Sequence, residues 1–318
     1  MAALKIGDSI SRSYSEELPD MLVAYLAEKL NALSSDWDKK RALIRTAADV
    51  KERNTYVRAK VLQMIGNFPE KTPLNPVVVK TMERDGYRVE NVMFQSRPDF
   101  WVTGNLYVPT VGKGPFPGIL SPCGHERLGR MMSGYQSAYL NLVKSGFVVL
   151  SYDPIGEGER RQYWNPQTKV IEVTGGQTFE HSMAGQLLLL MGENLTEYRV
   201  WDGKRAIDYL LTRPEVDGKR IGCAGQSGGG TFTKLMSVVD ERVKCAAIIE
   251  GGITNRWPLK IAPSQPVWLG DVEQNLFPAA TYGVDGIDLH SALAPRPVLT
   301  GIERYSPSFD QAAEVVEA

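Results

Sequence analysis

The chain has 318 residues, 43% hydrophobic and 23% charged, with a formal net charge of -1 at pH 7. That is enough apolar chain for a sizeable core, and the balanced charge gives no electrostatic case for nucleic acid or an anionic membrane as partner. No apolar run is long enough to span a bilayer, and the start lacks the basic and apolar regions of a signal peptide, which favours a cytoplasmic protein. The three cysteines, Cys123, Cys223 and Cys245, lie far apart in apolar runs. They read as small buried hydrophobes, with no disulfide framework and no zinc spacing.

In chain order, residues 1–80 read as an N-terminal helical appendage. "PDMLVAYLAEKLNAL" puts Leu22, Leu26, Leu30 and Leu33 on one stripe, and "VRAKVLQMIG" puts Val57, Val61, Met64 and Ile65 on another. The charged segment between them, "DKKRALIRTAADVKERN", is predicted helical with a solvated face. From about Asp85, "YRVENVMFQ" and "FWVTGNLYVP" read as an antiparallel pair of strands. Strand "FPGILSP", helix "SGYQSAYLNLVKSG" and strand "FVVLSYDP" follow, then an irregular insertion over 155–194. Helix "YRVWDGKRAIDYLLTRP", strand "IGCAG", helix "GGTFTKLMSVVD", strand "KCAAIIEGG" and a last strand "RPVLTGI" complete the pattern. Alternating strands and helices with continuous apolar strands predict an α/β domain over 81–318, with a mostly parallel sheet covered by helices on both faces.

The segment "IGCAGQSGGGTFTKLM" carries the chemistry. Gly225-Gln226-Ser227-Gly228-Gly229 between a strand and a helix has the spacing of a nucleophile elbow. The turn is tight enough that side chains at the flanking glycines would clash, and the serine hydroxyl is presented above the sheet. Phe232, Leu235, Met236 and Val239 have the spacing of a buried helix face behind it. An acyl-transfer site also needs donors for the oxyanion. One is the N–H of Gly228. The other belongs to the loop after the earlier strand, "SPCGHERLG", where the N–H of His125 takes the place.

With these features the chain resembles the acetyl xylan esterase and dienelactone-hydrolase-like branch of the α/β-hydrolases, a set of serine esterases. The resemblance rests on "PCGHERLG", "SYDPIGEGERRQYW", "TFEHSMAGQ", "GENLTEYRVWDGKRAIDYL", "GQSGGGTFTKLM" and "DVEQN", and runs from about residue 10 to the end. It implies an α/β-hydrolase fold and hydrolysis of a small-molecule or carbohydrate ester, with acetylated carbohydrate as the substrate class. It implies no metal and no cofactor.

The resemblance also implies a base and an acid after the last strands. The chain holds three histidines, His125, His181 and His290, and only His290 follows Ser227. It lies before the last strand, where the family's base lies beyond it, so it reads as a helix-start or surface residue. The expected base is therefore absent, which predicts a chain truncated before its last helix, strand and histidine loop, and inactive as it stands. At the family's acid position stands Ser306. The carboxylates that could replace it rank as Glu250, Asp310 and Glu303. Glu180, His181 and Trp164, all in the insertion, are candidates for substrate contact. Asp153 reads as a turn cap. The alternative function is a non-catalytic, degenerate hydrolase fold that binds a partner or carbohydrate.

Overall fold

The computed structural model describes residues 21–173, 176–252 and 272–302. Helices α1 (Met21–Arg41) and α2 (Ala47–Ile65) open the described chain. They are separate because Thr46 caps α2. Its hydroxyl accepts the Asp49 N–H at 3.2 Å, while the Asp49 carboxylate accepts the Thr46 N–H at 2.9 Å. The charged segment read as one helix is thus broken over 42–46.

The sheet begins earlier than the sequence suggested. Strand β1 (Val77–Arg84) precedes β2 (Tyr87–Arg97) and β3 (Phe100–Pro109). Nearly all of β1 is exposed, so no buried-and-exposed alternation marks it. Strand β4 (Phe116–Leu120), α3 (Ser133–Lys144) and β5 (Val148–Tyr152) follow.

The insertion holds a hairpin, β6 (Trp164–Asn165) with β7 (Val170–Ile171), and helix α4 (Gln177–Leu190). The sequence hid α4 because its pattern is inverted. Phe179, Met183, Leu187 and Leu190 are exposed, while Glu180, His181 and Gly185 are buried.

The remaining elements are α5 (Leu195–Leu211), β8 (Val216–Gln226), α6 (Gly228–Val239), β9 (Val243–Ile249), α7 (Ala279–Tyr282), α8 (Gly286–Ser291) and β10 (Val298–Gly301). The eight strands of the main sheet run in the order β1-β2-β3-β5-β4-β8-β9-β10. The β1, β2, β3 and β5 neighbours are antiparallel, and those from β5 to β10 are parallel. This is the α/β-hydrolase fold.

Alternate strand residues feed two cores. Leu106, Leu120 and Leu150 pack with Val200, Ile207, Phe232 and Met236 of α5 and α6. Tyr107, Ile119 and Val149 pack with Tyr135, Tyr139 and Val143 of α3. Helices therefore cover both faces, as the apolar strands required. Val57, Val61, Met64 and Ile65 of α2 belong to the first core, so the helix called an appendage shares apolar packing with the sheet. Cys123 and Cys223 are buried, whereas Cys245, expected to be buried, is exposed. No helix among the described residues is long and apolar enough to cross a membrane.

Candidate active site

Strand β4 has β5 on one side and β8 on the other, so successive connections leave in opposite directions there. A crevice opens at such a point, beyond the carboxyl ends of the strands. His125 follows β4 and Ser227 follows β8, so both meet at this crevice.

Ser227 has φ 56 and ψ -122. This is left-handed backbone that a residue with a Cβ avoids, and such conformations cost of order 1–3 kcal/mol. It is held by close contacts. Its N–H bonds Ile249 O at 2.9 Å, and its carbonyl accepts the Thr231 N–H at 3.0 Å, starting α6. Gly229 lies against the loop after β4: a Cβ there would stand 2.5 Å from Pro122 O and 3.2 Å from the Cys123 carbonyl carbon. Both obstacles are backbone and cannot swing away. Gly229→Ala is expected to destabilise the protein by about 1–3 kcal/mol and to open the turn at Ser227, read by chemical denaturation beside serine labelling.

The N–H of Gly228 belongs to the first turn of α6, where N–H groups lack intrahelical partners. The facing loop is tied on either side of His125. The Gly124 N–H bonds the Tyr135 hydroxyl at 3.0 Å, and the Glu126 N–H bonds Glu157 Oε2 at 2.9 Å. The His125 imidazole reaches over the elbow, and a Cβ on Gly228 would lie 3.0 Å from its Cε1 and Nε2.

Around His125 stands a group of residues to which the sequence reading gave no role. His125 Nε2 is 2.7 Å from Glu273 Oε1. Glu273 is fully buried and also pairs with Arg199. Glu157 is buried, and that burial pushes its carboxyl up to about 7, against the pull of the Glu126 N–H and of the two nearby imidazoles. The only signal for these residues was their place inside the quoted stretches "DVEQN", "LTEYRVWD" and "DPIGEGER".

The other candidates fall as follows. His181 is buried, with Nε2 2.8 Å from Ile155 O and its ring centre 5.4 Å from that of His125. Glu180 is buried and binds the Arg161 guanidinium and the Gln162 N–H, which makes it a bracket within the insertion. Trp164 is half exposed on the hairpin. Asp153 accepts the N–H groups of Arg130 and Glu159 at 2.8 and 3.0 Å and pairs with the Arg130 guanidinium, the turn role expected of it.

Glu250 ends β9 at φ 51, its N–H on Gly301 O, and lines a small cavity together with His290. His290 lies inside the short helix α8, not at its start. Its Nδ1 donates to Gly286 O at 2.8 Å, and burial, with Lys234 nearby, lowers its pKa. Glu303, Ser306 and Asp310 lie outside the described residues.

Known proteins agree with this architecture. The chain is 21% identical over 268 residues to YtaP of Bacillus subtilis (strain 168), provisionally named a hydrolase, covering 79% of this chain and 82% of that one. It superposes on a protein of Bacteroides fragilis NCTC 9343, provisionally named an acetyl xylan esterase, with TM-score 0.66 and 18% identity over 80% of this chain and 68% of that one. A glucuronoyl esterase from Solibacter usitatus superposes with TM-score 0.54 and 15% identity, over 86% and 80% of the two chains. Residues 28–249 match the model of the Abhydrolase family, and the chain belongs to that family.

Proposed function

We propose that the protein is a carboxylic ester hydrolase of the acetyl-esterase kind, with Ser227 as nucleophile. The observation that carries this reading is the backbone of Ser227, held in left-handed geometry at the crevice by contacts on both sides. A serine with no chemical role gains nothing from that strain. Ser227 Oγ attacks the ester carbonyl carbon and gives up its proton, and the N–H groups of Gly228 and His125 hold the oxyanion. The alcohol leaves with a proton, and water then cleaves the acyl-serine to the free acid.

The three imidazoles of the chain bond elsewhere, His125 to Glu273, His181 to Ile155 O and His290 to Gly286 O. Acylation by a reactive reagent is therefore expected to outrun turnover of an ordinary ester. Glu250 is the described residue among the three acid candidates. Acetylated carbohydrate is the substrate class that agrees with the Bacteroides fragilis protein's name and with an exposed Trp164 face on which a sugar ring could stack.

The test is to treat the protein with a fluorophosphonate, locate the adduct by mass spectrometry, and measure acetate release from acetylated xylo-oligosaccharides. One adduct per chain on Ser227, with slow acetate release, supports the reading. No adduct on Ser227 sinks it and leaves the non-catalytic binding module.

A further inference from the structure

Three side chains with metal-ligand chemistry converge beside the elbow from separate parts of the chain. His125 comes from the loop after β4, Glu157 from the loop after β5, and His181 from α4. One ligand atom of each lies within 4.8 Å of those of the other two. Glu157 and His181 are fully buried, and the side chain of His125 is 18% exposed, so solvent reaches the group at His125.

The hydrogen bonding of Glu157 leaves one of its oxygens unsatisfied. Glu157 Oε2 accepts the Glu126 N–H, but its Oε1, also buried, has no hydrogen-bond partner and stands 3.9 Å from His181 Nε2. A buried carboxylate oxygen without a partner is costly. His181 Nε2 must donate to Ile155 O, because a carbonyl can only accept. The other ring nitrogen of His181, Nδ1, stands 3.7 Å from Glu273 Oε2. A buried carboxylate oxygen without a donor, with two imidazoles beside it, is a place where a cation fits.

We propose that His125, Glu157 and His181 bind one divalent transition-metal ion of the zinc type. Two imidazoles and one carboxylate form a donor set that zinc takes in open sites, with the fourth position left for water or substrate. Tetrahedral bonds of zinc to such ligands place the donor atoms roughly 3.4 Å apart, so the donor separations shorten by up to about 1.4 Å on loading. Glu273, at 2.7 Å from His125 Nε2 and braced by Arg199, is the carboxylate behind the imidazole that fixes ring orientation at metal sites. The ion would lie next to the loop that approaches Ser227 at Gly124. The site stands on its own geometry and does not depend on the esterase reading.

The test uses the full chain, stripped with a chelator and dialysed. Zinc chloride is titrated in by calorimetry, bound zinc is counted by mass spectrometry, and cobalt(II) is added separately for its visible spectrum. The expected result is one zinc per chain. Glu157→Gln, which keeps an oxygen for the Glu126 N–H, and His181→Ala each weaken binding by at least about a hundredfold, while His290→Ala binds as the parent does. Cobalt shows tetrahedral bands without a thiolate charge-transfer band, which separates the site from the three cysteines. If His181→Ala does not fold, Glu157→Gln decides. No stoichiometric zinc in the parent, parent-like binding by the variants, or a thiolate band overturns the proposal.

Discussion

Ser227→Ala is expected to abolish covalent labelling by a fluorophosphonate and to remove the slow acyl release from an activated acetyl ester, with no loss of fold by circular dichroism. Alanine retains the Cβ, so it retains the strained backbone and removes only the hydroxyl. Ser227→Gly separates the two effects. Glycine adopts φ 56 without penalty, so this variant should be equally inactive yet more stable, by about 1 kcal/mol in urea denaturation. A Ser227→Gly variant no more stable than the parent would show that the turn is not a store of strain. Full labelling of Ser227→Ala would place the nucleophile elsewhere.

The second large effect concerns Asp288. This carboxylate is buried in α8 and receives two guanidiniums from the N-terminal helices, Arg41 Nη2 at 2.6 Å and Arg53 Nη2 at 2.8 Å. It also accepts the Asp285 N–H at 3.0 Å within a capping box. Both arginines donate as well to Gly283 O. Removing one partner of a buried ion pair leaves the other charge desolvated and uncompensated, which costs about 3–5 kcal/mol. Asp288→Ala is expected to lose that much stability by urea denaturation. Because α2 shares the main core with the sheet, the loss should come as one cooperative transition. Two transitions, with the N-terminal helices released first, would instead favour the separate appendage over residues 1–80 expected from sequence.

The elbow was legible in the sequence because glycines there answer to purely local geometry. A tight strand-to-helix turn requires small residues at fixed offsets, and Gly225, Ser227 and Gly229 stand at those offsets. The order of strands and helices was legible because buried strands are continuous apolar runs and α6 buries a regular stripe. Strand β1 was missed because it is exposed. Helix α4 was missed because its apolar residues face outward and its Glu180 and His181 face inward, the reverse of what periodicity assumes.

Composition, charge, the α/β alternation and the tight turn at Ser227 were determined by the sequence alone, since each depends on residues close together in the chain. The company of His125 was decided by the tertiary structure. Glu157, His181, Arg199 and Glu273 are separated from it by between 32 and 148 positions, and no local pattern ties them together. They meet because the parallel sheet delivers the segments after β4, β5 and β9 to one edge, and because the insertion and α5 fold across it. Read singly, each is an ordinary polar residue. Buried together in a low-dielectric crevice, they form a group of coupled charges and acceptors whose chemistry none of them has alone.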